Sequence, residues 1–206
     1  MLKTFLLIIG LIFGAINVAV AHGDESLADP NAWPVGFFSD TIVKTKFLIT
    51  DLEFAPDGSI WLLAKGGQVY KVTNKQLSGP LLSLAVNDEK ERGLLGIAFD
   101  PLFTQNGYFY LYYTTGPGSL NYEGAPKNRV SRFVFEATAG TVAPDSETII
   151  LDNIGSDSGM HNGGGIKIGP DKKLYVPTGE GGKFPANAQS LSSLSGKILR
   201  LNLDGS

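Results

Sequence analysis

The sequence predicts an all-β protein made of successive propeller blades, and three observations predict it. A strand-and-turn unit recurs three times along the chain. Its strands are rich in Tyr, Phe, Val, Ile and Leu, and its turns in Gly, Pro, Asp and Asn. Past residue 21 no segment sustains the apolar period of a helix. A long repeat of strands without alternating helices fits propeller blades; a two-sheet sandwich is the alternative.

The first copy, LEFAPDGSIWLLAKGGQVYKV at 52–72, holds an alternating strand, a Pro-Asp-Gly turn, a second strand, a Gly-Gly turn and a third short strand. The second copy runs from GIAFDPLFTQNGYFYLYYT at 96–114 through a loop to NRVSRFVF at 128–135. The third runs from IKIGPDKKLYVPTG at 166–179 through a loop to GKILRL at 196–201. Pro56, Pro101 and Pro170 stand at the turns, and Lys71, Arg132 and Arg200 hold matching places in the closing strands. The copies differ mainly in one connection, drawn out at 116–127 and again at 180–195. Insertions confined to one connection fall on one face of a repeat protein, often the binding face.

The N-terminus is different in kind. Lys3, an apolar run from Phe5 to Ile16 and then Ala19-Val20-Ala21 form the pattern of a signal peptide. Residues 1–21 are therefore expected to be removed after Ala21, leaving 22–40 as a lead-in and 41–206 as the propeller domain. The apolar run is shorter than the roughly 20 residues needed to span a bilayer, so a periplasmic or secreted protein without a stable membrane anchor is expected. The chain has no cysteine, which excludes both a lipid-modified N-terminus and disulfides. Its 17 Lys and Arg against 20 Asp and Glu give a formal net charge of −3 and no basic run, which argues against nucleic acid as a partner. Roughly three blades fit this length, whereas propellers close with about four to eight. The expectation is a propeller truncated at its C-terminus, with about the first half present.

His161 is the only histidine besides His22, and it stands in the Gly-rich stretch GSDSGMHNGGG just before a strand. A neutral imidazole is the natural general base near neutral pH, and a loop at a strand end is where it can meet a substrate. A surface or packing histidine is the bland alternative. The glycines at 163–165 would let a flat ligand approach the backbone closely. Glu180 in TGEGG and the pair Glu91 and Arg92 in ERGLLG are charged groups beside glycines at strand ends. No phosphate-binding GK[ST], no GxSxG elbow and no HxxxH pair is present, so nucleotide binding, triad hydrolysis and a zinc site lack support. No metal ligand is assigned.

Three segments together, ERGLLGIAFDPLFTQNGYFYLYYT at 91–114, HNGGGIKIGPDKKLYVPTGEGG at 161–182 and GKILRLNLDGS at 196–206, resemble the pyrroloquinoline quinone (PQQ)-dependent glucose/sorbosone dehydrogenase family. The resemblance implies an exported six-bladed propeller that oxidises an aldose at its anomeric carbon to a lactone. It places His161 as the base that takes the hydroxyl proton, and Glu180 as the acidic residue that orients it. It places Glu91 near cofactor and sugar, and adds Arg92, Asn162 and Gly163 to the cofactor-binding set. The implied cofactors are PQQ and calcium, with the calcium ligands and the basic partners of the PQQ carboxylates in later blades. The implied partners are a small sugar and an external electron acceptor, and homodimer formation is left open. Met160 departs from the family, standing where some members carry an acidic sugar-binding residue. A non-catalytic binding module on the same propeller and a calcium-dependent lactone hydrolase are the competing functions.

Overall fold

The computed structural model describes residues 37–143 and 145–206, so the expected leader and most of the lead-in lie outside the described residues. Three antiparallel sheets follow one another along the chain. The first is β1 (Ile49–Phe54), β2 (Ile60–Ala64), β3 (Gln68–Thr73) and β4 (Gln76–Ser83), in that order. The second is β5 (Leu94–Phe99), β6 (Tyr108–Thr114), β7 (Asn128–Glu136) and β8 (Thr141–Val142), with β9 (Thr148–Ile154) also paired to β7. The third is β10 (Lys167–Ile168), β11 (Leu174–Pro177) and β12 (Ile198–Leu201). The α-helix α1 (Phe103–Asn106) is a single turn between β5 and β6. The all-β expectation holds, and the sheets form successive blades.

Each repeat signature turns out to be a structural device. In the first blade Asp57 accepts the Ser59 N–H at 3.0 Å and pairs with Lys71 of β3 at 2.8 Å. In the third, Asp171 accepts the Lys173 N–H and the Tyr175 hydroxyl and pairs with Arg200 of β12 at 2.8 Å. In both, the turn carboxylate ties the first hairpin to the closing strand. The second blade does it differently: Asp100 caps the backbone at Leu102 and binds Asn106, while Arg132 lies over the Tyr108 ring at 4.3 Å.

The strand YFYLYYT, β6, buries both of its faces. Phe109, Leu111 and Tyr113 join Trp61, Leu63 and Val69 of the first sheet in one core. Tyr110 and Tyr112 join Ile166, just before β10, and Leu174 and Val176 of β11 in another. A strand covered on both sides reads as a continuous apolar run, which is why β6 lacks the polar alternation of a half-exposed strand. Trp61 is fully buried and meets Phe99, Phe109 and Phe135 with ring centroids 5.1 to 5.2 Å apart, in the edge-on geometry that aromatic rings prefer.

The first strands of the sheets converge, with β1 against β5 and β5 against β10. Asp51 of β1 accepts the Ile97 N–H of β5 at 3.1 Å, and Glu53 of β1 pairs with Lys167 of β10. Gly96 is glycine for this packing, since a Cβ there would strike the Gly164 carbonyl. The loops preceding β5 and β10, and the loop leaving β11, therefore gather at one end.

Candidate functional site

The loop before β5 is clasped to the loop before β10. The Glu91 N–H donates to the Gly159 carbonyl at 3.0 Å, and Lys90 Nζ donates to the Ser158 carbonyl at 2.7 Å. The loop after β11 joins from the other side, with the Gly181 carbonyl accepting both the N–H and the hydroxyl of Ser158. His161 sits where the three loops meet.

Its backbone lies in the left-handed region at φ +55°, which costs an ordinary residue roughly 1–3 kcal/mol and persists only when its surroundings fix it. Glu91 supplies the fixing contact. Its Oε2 accepts the His161 N–H at 2.6 Å. On the other side Nδ1 of the ring meets Glu180 Oε1 at 2.6 Å. A carboxylate is an acceptor only, so Nδ1 carries the proton and Nε2 is left with its lone pair. The side chain is 56% exposed, and among the described residues Nε2 has no hydrogen-bond partner.

The same contacts set the charge state. Hydrogen bonding to the Glu180 carboxylate, its charge and then the charge of Glu91 raise the His161 pKa above the usual imidazole value. His161 in turn holds Glu180 below the ordinary carboxylate range.

Arg92 and Asn162 lie beneath this triad. The Arg92 guanidinium is buried and donates to the Ser156 hydroxyl at 3.0 Å and to the Ser156 carbonyl. Ser156 donates to Asn162 Oδ1 at 2.6 Å, which also accepts from Asn128 Nδ2 at 3.1 Å. The Asn162 carbonyl accepts the Tyr112 hydroxyl at 2.6 Å, and burial pushes that phenol pKa up. Arg92 and Asn162 are both buried and hold the backbone on which His161 stands, and Arg92 also lies 3.8 Å from the exposed Glu89 carboxylate. Gly163 is also required by the fold. It has φ +77°, bridges Thr178, and a Cβ there would lie 2.5 Å from the Pro177 carbonyl.

Of the residues picked out from the sequence, His161, Glu180 and Glu91 come together on the exposed side, while Arg92, Asn162 and Gly163 support them from below. Ser156, Asn128 and Tyr112 were not picked out. Ser156 sits in a Gly- and Ser-rich loop that reads as turn chemistry, and Tyr112 in an apolar strand that reads as core. Met160, beside the histidine, is exposed. Among the described residues no three His, Cys, Asp or Glu gather where they could hold a metal ion.

The fold and the site together define a protein of propeller blades in which an exposed histidine is held between two carboxylates, ring to Glu180 and backbone to Glu91. The match to known proteins gives the class a family: the glucose/sorbosone dehydrogenase profile covers residues 49–206, and the chain belongs to that family. Quinoprotein glucose dehydrogenase B of Acinetobacter calcoaceticus is 31% identical over 75% of this chain and 37% of its own length. A Thermus thermophilus structure assigned as a glucose dehydrogenase is 37% identical, with a TM-score of 0.65 over 75% of this chain and 43% of that one. The PQQ-bound aldose sugar dehydrogenase of Streptomyces coelicolor is 27% identical, with a TM-score of 0.68 over 81% of this chain and 48% of that one. The chain spans less than half the length of each.

Proposed function

We propose that this chain carries the base-bearing blades of an exported, PQQ-dependent oxidoreductase that oxidises an aldose at its anomeric carbon to a lactone. The observation that carries the reading is the double anchoring of His161, ring to Glu180 and backbone to Glu91, with Nε2 left open.

His161 Nε2 takes the proton of the anomeric hydroxyl. Glu180 accepts from Nδ1 throughout, stabilises the imidazolium that forms and fixes the ring plane. Glu91 keeps the histidine backbone in its left-handed conformation, and the Arg92–Ser156–Asn162 network holds the next residue. As the hydroxyl oxygen gives up its proton, the carbon–oxygen bond becomes a carbonyl and the anomeric carbon loses a hydride. PQQ, when bound, supplies the acceptor for that hydride.

The residues present fit part of that cofactor. Gly163, two residues after His161, presents exposed backbone without a side chain, which suits a flat ring. The described site is acidic on its exposed side, and Lys90 and Arg92 are already engaged by backbone and Ser156, so the cofactor carboxylates need basic partners beyond these residues. Calcium belongs to the same proposal, with ligands outside this site.

The export signal at 1–21, the lead-in at 22–40, the propeller domain at 41–206, the six-blade count, a sugar substrate and an external electron acceptor complete the reading. Homodimer formation stays open within it. Among the described residues no helix is long and apolar enough to cross a membrane.

The test is product analysis with the full-length protein, PQQ, calcium, an aldose and an artificial dye. Lactone formed in step with dye reduction, and only with PQQ, is the expected result. Dye reduction that ignores PQQ contradicts it, and lactone opening without PQQ points to the hydrolase instead.

A further inference from the structure

Glu180 can orient the base only if the loop after β11, which carries it, keeps its place against the loop before β10, which carries His161. The backbone supplies two links between residues 158–161 and 180–182: the Ser158 N–H donates to the Gly181 carbonyl at 3.1 Å, and the Gly181 N–H to the His161 carbonyl at 3.3 Å. Among the described residues one side chain adds to these besides the His161–Glu180 pair itself, and it is Ser158. Its hydroxyl donates to the Gly181 carbonyl at 2.7 Å and accepts the Met160 N–H at 3.1 Å. One oxygen thus joins the residue before the base to the residue after its carboxylate.

The two halves of that contact ask for different chemistry. Accepting the amide two residues on is ordinary turn chemistry, which Asp or Asn performs as well. Crossing to the Gly181 carbonyl needs a donor, and a hydroxyl supplies donor and acceptor on a single atom. The opposite loop is shaped to receive it. Gly181 and Gly182 both lie in the left-handed region, at φ +82° and +70°, and a Cβ on Gly182 would lie 2.2 Å from the Ser158 Oγ. The chain that follows Glu180 therefore folds directly over the hydroxyl, and the Gly182 N–H is one of the groups that hold the Glu180 carboxylate low. The other charged side chains bonded into this junction are Glu91, Lys90 and Arg92, all on the loop before β5. Across to the neighbouring loop their bonds go to residues 156–161, on the histidine's side.

We propose that Ser158 is a positioning residue for the base: its hydroxyl locks the loop of Glu180 to the loop of His161 and so keeps the carboxylate on Nδ1. The proposal rests on the reading of His161 as the base and extends it to a side chain that makes no hydrogen bond to the imidazole.

The test is NMR titration of the His161 ring, together with turnover in the presence of PQQ, calcium, an aldose and an artificial dye, for full-length wild type, Ser158→Ala, Ser158→Thr, Glu180→Gln and the Ser158→Ala/Glu180→Gln double variant. Ser158→Ala keeps both backbone links and is expected to melt within about 4 °C of wild type. Its His161 midpoint is expected to fall toward the ordinary imidazole value, because the carboxylate that raises it is no longer held in place. Its kcat is expected to fall about tenfold with KM within about twofold, the pattern of an interaction used in the transition state and not in binding. Ser158→Thr, which keeps the hydroxyl, is expected to restore both, and the double variant to titrate where Glu180→Gln does. A His161 midpoint unchanged in Ser158→Ala, a folded threonine variant that behaves like alanine, or a double variant that titrates lower than Glu180→Gln overturns the proposal. A midpoint that shifts while turnover stays at the wild-type level upholds the positioning of Glu180 and overturns the reading of His161 as the base. Wild type without PQQ-dependent turnover overturns that reading too, and the titration still decides the role of Ser158.

Discussion

His161 meets three demands at once: a backbone conformation unusual for its type, a fixed tautomer and an open Nε2. Each demand is met by a different partner, which makes them separable. Replacing Glu180 with Gln leaves the ring orientation available but removes the charge that raises the imidazole pKa. His161 is a base only when neutral, so the rate is expected to rise with pH through a value above 6.5 in wild type and through a lower one in Glu180→Gln. NMR titration of the His161 ring checks the shift without turnover; an unchanged midpoint would show that Glu180 does not govern it. The stabilising side of the same linkage has the opposite sense. Below the unfolded imidazole pKa the charged ring contributes fully to stability, and that contribution is lost as pH rises through the folded value. For Glu180, held low, the contribution is lost instead as pH falls through its folded value. The histidine and both carboxylates were legible in the sequence because charged residues beside glycines stand out. Their division of labour was not, because nothing in the spacing says that Glu91 binds a backbone amide rather than a ligand.

At the scale of elements, the strands that carry apolar alternation and tight turns were legible, among them β1 to β3, β5 to β7, β11 and β12. The outer strands β4 and β9 were not. β4 reads QLSGPLLS and is exposed along most of its length, and its Gly79-Pro80 pair argues for a loop. Proline is tolerated there because β4 is an edge strand, paired on one side only by β3. The clasp between the loops before β5 and β10 was hidden for a related reason, since its serines and asparagines look like turn residues until the strands bring them together. Its role is testable through Arg92→Met and Ser156→Ala. Each removes hydrogen bonds from a buried network and is expected to cost about 1–3 kcal/mol in unfolding. Each is also expected to lower kcat more than it raises KM, because it disturbs the residue beside the base and not an exposed ligand contact. Equal stability and an unchanged kcat would show the clasp to be incidental.

At the scale of the whole molecule, the site is a product of stacking. The second blade buries both faces, one against the first blade and one against the third, and this brings the loop of Glu91 to the loop of His161. Neither blade alone contains the triad. The repeat made the stacking legible, while the contacts across the blade boundary needed the three-dimensional packing. The central claim is that His161 is the base of a sugar oxidation, and the most direct measurement is the turnover of full-length His161→Asn with PQQ and an aldose. A loss of at least about 100-fold in kcat with PQQ binding and melting temperature retained is the predicted result. Turnover within a fewfold of wild type in a folded, PQQ-binding variant would contradict it.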